Sequence, residues 1–248
     1  MAIPFLRTLL VVLLAAAAPA LQASDVYSEP DAPLVARVFD DTIRIRRSAE
    51  ARQAILVRLL ERYAAGKGIV AEPAEIDAYA DMLRQILQAD RARWASRLEE
   101  IDKRLALRSL TETERKGLAA EREALRALLR SDAAETASTR TLEDKYFIRP
   151  LSAGFVKQWK VDRALYQQYG GRIAVELGTP EPVDAYLRFL EESRDRGDFQ
   201  LLAPELEREF WWPFRTDAMH TFLVPGSPEE ARTYATPPWQ NNAVAPAR

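Results

Sequence analysis

Apolar and polar residues alternate in two short runs near the start of the chain. The first run is VARVF (35–39), made largely of strand-forming residues, and the second is TIRI (42–45), which places two isoleucines on one face. Asp40 and Asp41 lie between the runs and lack the glycine that is usual in a tight turn. The pattern predicts a β-hairpin and leaves its turn type open.

Helical spacing of the apolar residues follows the hairpin. A first helix is predicted from an N-cap at Ser48 to the glycines Gly66 and Gly68. A second begins near Pro73 and keeps its apolar repeat without a breaker for about 33 residues, which corresponds to about 50 Å. A helix of this length needs a partner along its side.

The next helix supplies that partner. Thr111 and Glu114 form a capping box ahead of a leucine-rich helical repeat. Two helices of matching polarity joined by a short turn predict an antiparallel helical arm over 74–130. The small polar residues of 131–141 predict a loop after the arm.

The second half of the chain is predicted to be mainly helical, with one short strand. Helices are expected over 147–169, ended by Gly170 and Gly171, then over 181–196, and from 204 to a stop at Pro213. RIAVEL (172–177) alternates and predicts a strand, and the proline-rich residues 225–248 predict a disordered tail.

The first 23 residues have the pattern of a signal peptide. A positive charge at Arg7 precedes the apolar run 9–18 and then small residues, with possible cleavage after Ala20 or Ala23. The run is too short to cross a bilayer comfortably, so we expect removal and no integral membrane segment. The absence of cysteine excludes disulfides and a cysteine-linked lipid anchor. The chain is therefore predicted to be periplasmic.

The charge of the chain is balanced. Thirty-five Lys and Arg residues face 37 Asp and Glu residues, for a net charge of -2. This composition gives no basic field for nucleic acid and fits long helices with solvated faces. Nucleic acid is therefore not an expected partner.

The order of the N-terminal elements resembles a known family. A strand–turn–strand over 35–45, a helix ending in RLLERYAAGKGI (58–69) and the start AEPAEIDAYADMLR (71–84) are similar to the N-terminal domain of the SurA-type periplasmic chaperones, the parvulin-linked foldases. The resemblance implies that the hairpin pairs with a distant strand, for which 172–177 is the candidate. A lone hairpin is only marginally stable in water.

The resemblance also implies what is missing. Parvulin domains have an isomerase pocket with paired histidines, whereas this chain has one histidine, His220. The resemblance therefore implies the chaperone half without the isomerase half. The predicted domains are a SurA-like helical domain over 34–177 that includes the arm, a helical extension over 178–224 packed on it, and the tail 225–248.

Candidate chemistry is sparse. His220 follows Asp217 by three residues, but no nucleophile motif accompanies this pair. One histidine without any cysteine also provides too few of the usual ligands for a zinc site. Carboxylate pairs such as Glu191–Glu192 are explained by solvated helix faces. We therefore expect no catalytic residue, no metal and no cofactor.

The aromatic stretch FWWPF (210–214) is the candidate binding surface. Adjacent tryptophans on a helix cannot face the same way, so one is expected in the core and the other at the surface. The cluster either caps the core beneath a C-terminal segment or offers an exposed aromatic surface that could receive apolar side chains of an unfolded protein. The candidate residues are Trp211, Trp212, Phe214, Trp159, Tyr166, Tyr169 and Tyr186.

Three functions follow as expectations. The first is a periplasmic chaperone-like protein that binds unfolded or extended segments of envelope proteins without catalysis. The second is an assembly protein that docks a fixed envelope partner through the helical arm. The third is an enzyme related to peptidyl-prolyl isomerases. The oligomeric state stays open.

Overall fold

The computed structural model describes residues 31–133, 144–176 and 179–240. The protein is mostly α-helical with a small antiparallel sheet, as the sequence predicts. The predicted signal peptide, most of the loop 131–141, Leu177 and the end of the predicted tail lie outside the described residues.

The described residues form five strands and seven α-helices. The strands are β1 (Leu34–Val38), β2 (Asp41–Arg44), β3 (Ala174–Glu176), β4 (Thr179–Glu181) and β5 (Phe199–Leu201). The helices are α1 (Ser48–Lys67), α2 (Pro73–Leu105), α3 (Glu112–Ala133), α4 (Arg149–Tyr169), α5 (Val183–Asp195), α6 (Pro204–Arg215) and α7 (Pro228–Thr233). A π-helical turn (Asp144–Ile148) precedes α4, and a 3₁₀ turn (Pro238–Gln240) follows α7.

The chain divides into two compact units. The first comprises Met1–Glu72 and Ala153–Pro237, and the second comprises Pro73–Ser152 and Pro238–Arg248. The expected boundary between 177 and 178 does not coincide with this division, because β5 and α6 belong to the same unit as the hairpin.

The hairpin forms, but its third strand is not the predicted one. The sheet has the order β2-β1-β5, with Arg37 opposite Gln200, whereas β3 pairs with β4 in a separate ladder. The prediction that 172–177 pairs with β1 is therefore wrong. The strand β5 follows the tight turn at the end of α5 and brings Phe199 against Phe210 in the core, with ring centroids 5.4 Å apart.

The hairpin turn is also shifted by one residue. Val38 lies opposite Asp41, so the two-residue turn is Phe39–Asp40 rather than Asp40–Asp41. Phe39 has a φ of 52°, and the Arg62 guanidinium lies 5.1 Å from the centre of its ring. Phe39 thus adopts a backbone conformation that usually favours glycine, and its N–H donates to the Asp198 carbonyl at 2.7 Å.

The core of the first unit joins the sheet to α1, α4, α5 and α6. Its largest fully buried side chains include Val38, Ile43, Ile55, Leu59, Leu165, Leu190 and Phe210. Helix α1 ends at Gly68, as predicted, in the left-handed conformation. Its predicted N-cap is wrong by one residue, because Arg47 holds that position without a side-chain bond and Ser48 is already helical.

The helical arm of the second unit is confirmed. Helix α2 spans 33 residues and packs against α3 through Ile101, Leu118 and Leu125. The capping box also forms, since the Thr111 N–H donates to Glu114 Oε2 at 2.9 Å and the Glu114 N–H donates to Thr111 Oγ1 at 3.3 Å. Arg97 Nε also donates to Glu121 Oε1 at 2.8 Å, so an ion pair joins the two helices beside their apolar contacts.

Helix α6 continues past the proline that was expected to end it. Pro213 lies in its last turn and the helix ends at Arg215, where the Thr216 N–H donates to the Trp212 carbonyl. Proline cannot donate to the carbonyl four residues earlier. Here Arg52 Nη1 donates to that carbonyl, of Glu209, at 3.4 Å.

The prediction of disorder is wrong for residues 225–240. Helix α7 begins with Ser227, whose Oγ accepts from the Glu230 N–H at 3.1 Å. Tyr234 and Trp239 are buried. Two anchoring aromatic side chains and a helix cap therefore order a segment whose proline content suggested a tail.

Candidate polypeptide-binding site

The adjacent tryptophans of α6 face opposite ways, as expected. Trp211 is only 3% exposed and Trp212 is 51% exposed. The indole N–H of Trp211 donates to Glu207 Oε1 at 3.1 Å, and the guanidinium of Arg215 lies 4.6 Å from its ring centre. Trp211 therefore belongs to the core, and Trp212 is the one of the pair that a partner could contact.

Two further candidate residues are core residues. Phe214 is buried beside Phe210, with ring centroids 6.3 Å apart, and its ring stacks on the buried ring of Tyr186 at the same separation. Neither side chain has surface to offer a ligand. Of the candidate residues, Trp211, Phe214 and Tyr186 are therefore buried in the packing of α5 and α6.

A buried carboxyl group lies next to Tyr186. The Tyr186 hydroxyl donates to Asp162 Oδ1 at 2.6 Å, and Gln158 Nε2 donates to the same oxygen at 2.8 Å. Burial raises the pKa of Asp162 to about 7, although both hydrogen bonds lower it. Asp162 therefore lies on the buried face of α4, as a carboxyl group that can hold its proton near neutral pH.

Tyr169 lies at the end of α4 and is half-buried. Its hydroxyl donates to Glu192 Oε2 at 2.8 Å, while its backbone carbonyl accepts a hydrogen bond from Arg188. Burial, and then the bond to Glu192, raise the pKa of Tyr169 to about 12. These contacts tie α4 to α5 and give Tyr169 a structural role.

Trp159 and Tyr166 form the aromatic face of α4, and Tyr234 covers it. The ring of Tyr234 lies 5.4 Å from that of Tyr166 and 6.2 Å from that of Trp159, both in tilted arrangements. The Tyr234 hydroxyl donates to the Pro180 carbonyl oxygen at 3.2 Å. Burial, followed by the nearby carboxyl of Asp162, raises the pKa of Tyr234, so the phenol stays protonated and can donate.

Arg172, which follows α4, binds two carboxylates and was not among the residues predicted from the sequence. Arg172 Nε donates to Asp184 Oδ2 at 3.0 Å, and Nη1 donates to both oxygens of Asp217 at 3.1 Å. Burial raises the pKa of Asp184, but the hydrogen bonds from Arg172 outweigh it and the pKa lies below its usual value. The guanidinium also lies 4.2 Å from the ring centre of Phe222.

Sequence reasoning missed Tyr234 because it assigned residues 225–248 to a disordered tail. A signal was present in the chain. Ser227 and Glu230 form an S-x-x-E pattern, which is typical of a helix start and argues against disorder. The buried Asp162 had no such signal, because its burial depends on contacts made by α5.

His220 has a structural contact at the end of α6. Its Nε2 lies 2.6 Å from the Pro213 carbonyl oxygen, and its ring packs against Phe222 with centroids 5.5 Å apart. Within 31–133, 144–176 and 179–240, no group of three or more His, Asp or Glu side chains is placed to hold a metal ion. In the same ranges no helix is both long and apolar enough to cross a membrane.

Comparisons with known proteins do not assign the chain to a family. No family model matches it, and neither a curated protein nor a solved structure matches it. The function is therefore inferred from the exposed surfaces of the molecule.

Proposed function

We propose that the protein is a non-catalytic binding protein for unfolded or extended segments of envelope proteins in the periplasm, similar in function to the SurA-type chaperones. The observation that carries the proposal is Trp212, a large apolar side chain that is half exposed on a rigid helix. Its neighbour Trp211 is fixed in the core, so the position of the exposed indole is well defined. Indole groups at such positions are frequent anchors of protein interfaces.

A second feature that supports the proposal is the edge of the sheet. In the order β2-β1-β5, no strand lies on the outer side of β5 among the described residues. Along β5 and its flanks, alternate residues bond to the hairpin: the Asp198 carbonyl accepts from the Phe39 N–H, and the Leu202 N–H donates to the Val35 carbonyl. The backbone groups of Phe199 and Leu201 therefore point away from β1, where an extended peptide could add as a strand.

Exposed apolar residues of the first unit fit the same use. Leu202 follows the strand directly and is exposed, and Met219 and Val224 are exposed after α6. An extended segment offers both backbone groups for an edge and alternate side chains for such surfaces. Binding of this kind needs no nucleotide, because release can follow from the client's own folding.

The test is suppression of aggregation. Purified protein at stoichiometric amounts should reduce light scattering when an unfolded outer-membrane protein is diluted out of denaturant. Trp212→Ala should lose most of this suppression while keeping the fold. Replacing Trp211 would be uninformative, because loss of a core indole damages the fold itself.

The matched control is Leu107→Ala. Leu107 is 52% exposed, close to the value for Trp212, but it lies at the turn of the helical arm in the other unit. Loss of suppression in Trp212→Ala with full suppression in Leu107→Ala supports the proposal. No suppression by the wild-type protein would refute it.

The exposed Leu107 also favours the second candidate function, docking of a fixed envelope partner through the arm. A dedicated partner should bind with sub-micromolar affinity and protect one face of α2 and α3 from hydrogen exchange. Leu107→Ala would then weaken binding and Trp212→Ala would not.

The isomerase-related alternative predicts that His220→Ala abolishes proline isomerisation in a refolding assay.

A further inference from the structure

The segment 225–237, which we call the C-terminal strap, is attached to the first unit chiefly through one side chain. Helix α7 within the strap has no buried residue, whereas Tyr234, just after it, is only 5% exposed. The cap bonds of α7 are local, since Ser227 bonds to Glu230 and Thr233 bonds to the Glu229 carbonyl. Withdrawal of the Tyr234 ring would therefore free the strap from the first unit, while the buried Trp239 still holds the chain beyond the strap.

The place that Tyr234 occupies has the features of a binding site for a phenol. The rings of Trp159 and Tyr166 contact the Tyr234 ring, and the Pro180 carbonyl oxygen accepts a hydrogen bond from the Tyr234 hydroxyl. Trp159 and Tyr166 lie seven residues apart, on one face of a continuous helix. Tyr186, hydrogen-bonded to Asp162, lies buried in the same unit. Both walls of the site therefore belong to regular helix and strand and do not depend on the strap.

We propose that this site binds a tyrosine side chain of an extended client segment, and that the protein's own Tyr234 occupies it until a client competes. The proposal rests on the proposed function and gives it a specific site. The occupant is argued from Tyr234 itself, because the side chain already seated there shows which shape and which hydrogen-bond donor the site accepts. A phenylalanine would fill the same space and leave the Pro180 carbonyl without this donor.

Competition with an internal occupant lowers the apparent affinity for a client. When the open state is populated at about 0.1–10%, the apparent affinity falls to that fraction of the affinity of the open state. Removing the Tyr234 ring should therefore tighten client binding about 10- to 1,000-fold. One neutral hydrogen bond to the Pro180 carbonyl corresponds to a preference of about fivefold for tyrosine over phenylalanine.

The experiment compares blocked, fluorescein-labelled nonapeptides of serine and threonine that differ at one central residue, which is tyrosine, phenylalanine or alanine. Dissociation constants are measured by anisotropy with the full wild-type chain, with Tyr234→Ala and with Arg232→Ala, an exposed position in α7 that serves as the matched control. We expect Tyr234→Ala to bind the tyrosine peptide at least tenfold more tightly than the wild type, and Arg232→Ala to match the wild type. Equal affinities of wild type and Tyr234→Ala, or of the tyrosine and alanine peptides, would overturn the proposal.

Two further measurements keep the test decisive if Tyr234→Ala folds poorly. Tyr234→Phe keeps the ring and removes only the hydroxyl, so it should bind the tyrosine peptide about fivefold more tightly than the wild type. In the wild type, the tyrosine peptide should speed tryptic cleavage after Arg232 and leave cleavage elsewhere unchanged. If the rate of cleavage after Arg232 did not change on addition of the tyrosine peptide, the peptide would not displace the strap.

Failure of this inference is separable from failure of the proposed function. Aggregation suppression that depends on Trp212, together with unchanged peptide binding in Tyr234→Ala, would overturn the tyrosine site and leave the proposed function standing. Tighter peptide binding by Tyr234→Ala without any aggregation suppression would support the site and refute the chaperone-like function.

Discussion

The buried carboxyl of Asp162 makes the stability of the first unit depend on pH in an unusual direction. Its pKa is raised from the ordinary value of 3.8 to about 7 in the folded protein, chiefly by burial. Below about pH 4 the group is protonated in both the folded and the unfolded chain. Between about pH 4 and 7 only the unfolded chain has released the proton, so the free energy of unfolding falls as the pH rises.

The size of this effect follows from the two pKa values. A difference of about three pH units, at about 1.4 kcal/mol for each, gives a loss of about 4 kcal/mol between pH 4 and pH 8. Asp162→Asn removes the titration and keeps an oxygen that can accept from Tyr186 and Gln158. The variant should therefore match the wild type near pH 4 and exceed it by up to about 4 kcal/mol at pH 8.

The assay is urea unfolding followed by circular dichroism at several pH values from 4 to 8. Asp195→Asn is the matched control, because Asp195 is exposed at the end of α5 and the same substitution there changes charge without changing a buried contact. Its stability curve should run parallel to that of the wild type. If the free energy of unfolding of Asp162→Asn and of the wild type changed in parallel with pH, burial would not raise the pKa of Asp162 as described.

The other predictions concern the packing and local structure that position the site. Trp211→Ala should destabilise the fold by about 3–5 kcal/mol and Trp212→Ala by less than about 1 kcal/mol, measured by denaturant unfolding, because only the first leaves a core cavity. Thr111→Ala should cost about 1 kcal/mol of arm stability, seen as faster hydrogen exchange at the start of α3, and Thr111→Ser should not. Gly171→Ala should be strongly destabilising, because Gly171 has a φ of 97° and an added Cβ would lie 2.4 Å from the Asp184 Cβ. Gly117→Ala, which meets nothing within 4 Å inside α3, should raise the melting temperature, as helix propensity predicts.

Several elements could be predicted from local signals in the sequence. The span of α2, the capping box at Thr111, the end of α1 at Gly68 and the opposite directions of the two tryptophans all follow from helical geometry and short-range hydrogen bonds. These features depend on residues within a few positions of one another. A periodic pattern is sufficient to predict them.

Which distant segments of the chain contact one another depends on the tertiary packing. Whether β3 or β5 pairs with β1 depends on how α5 and α6 pack, since either short strand could present backbone groups to the hairpin. The same packing buries Asp162 and places Tyr234 against Trp159 and Tyr166. Burial and pairing are properties of the assembled core, and no local pattern in the chain encodes which partner each residue receives.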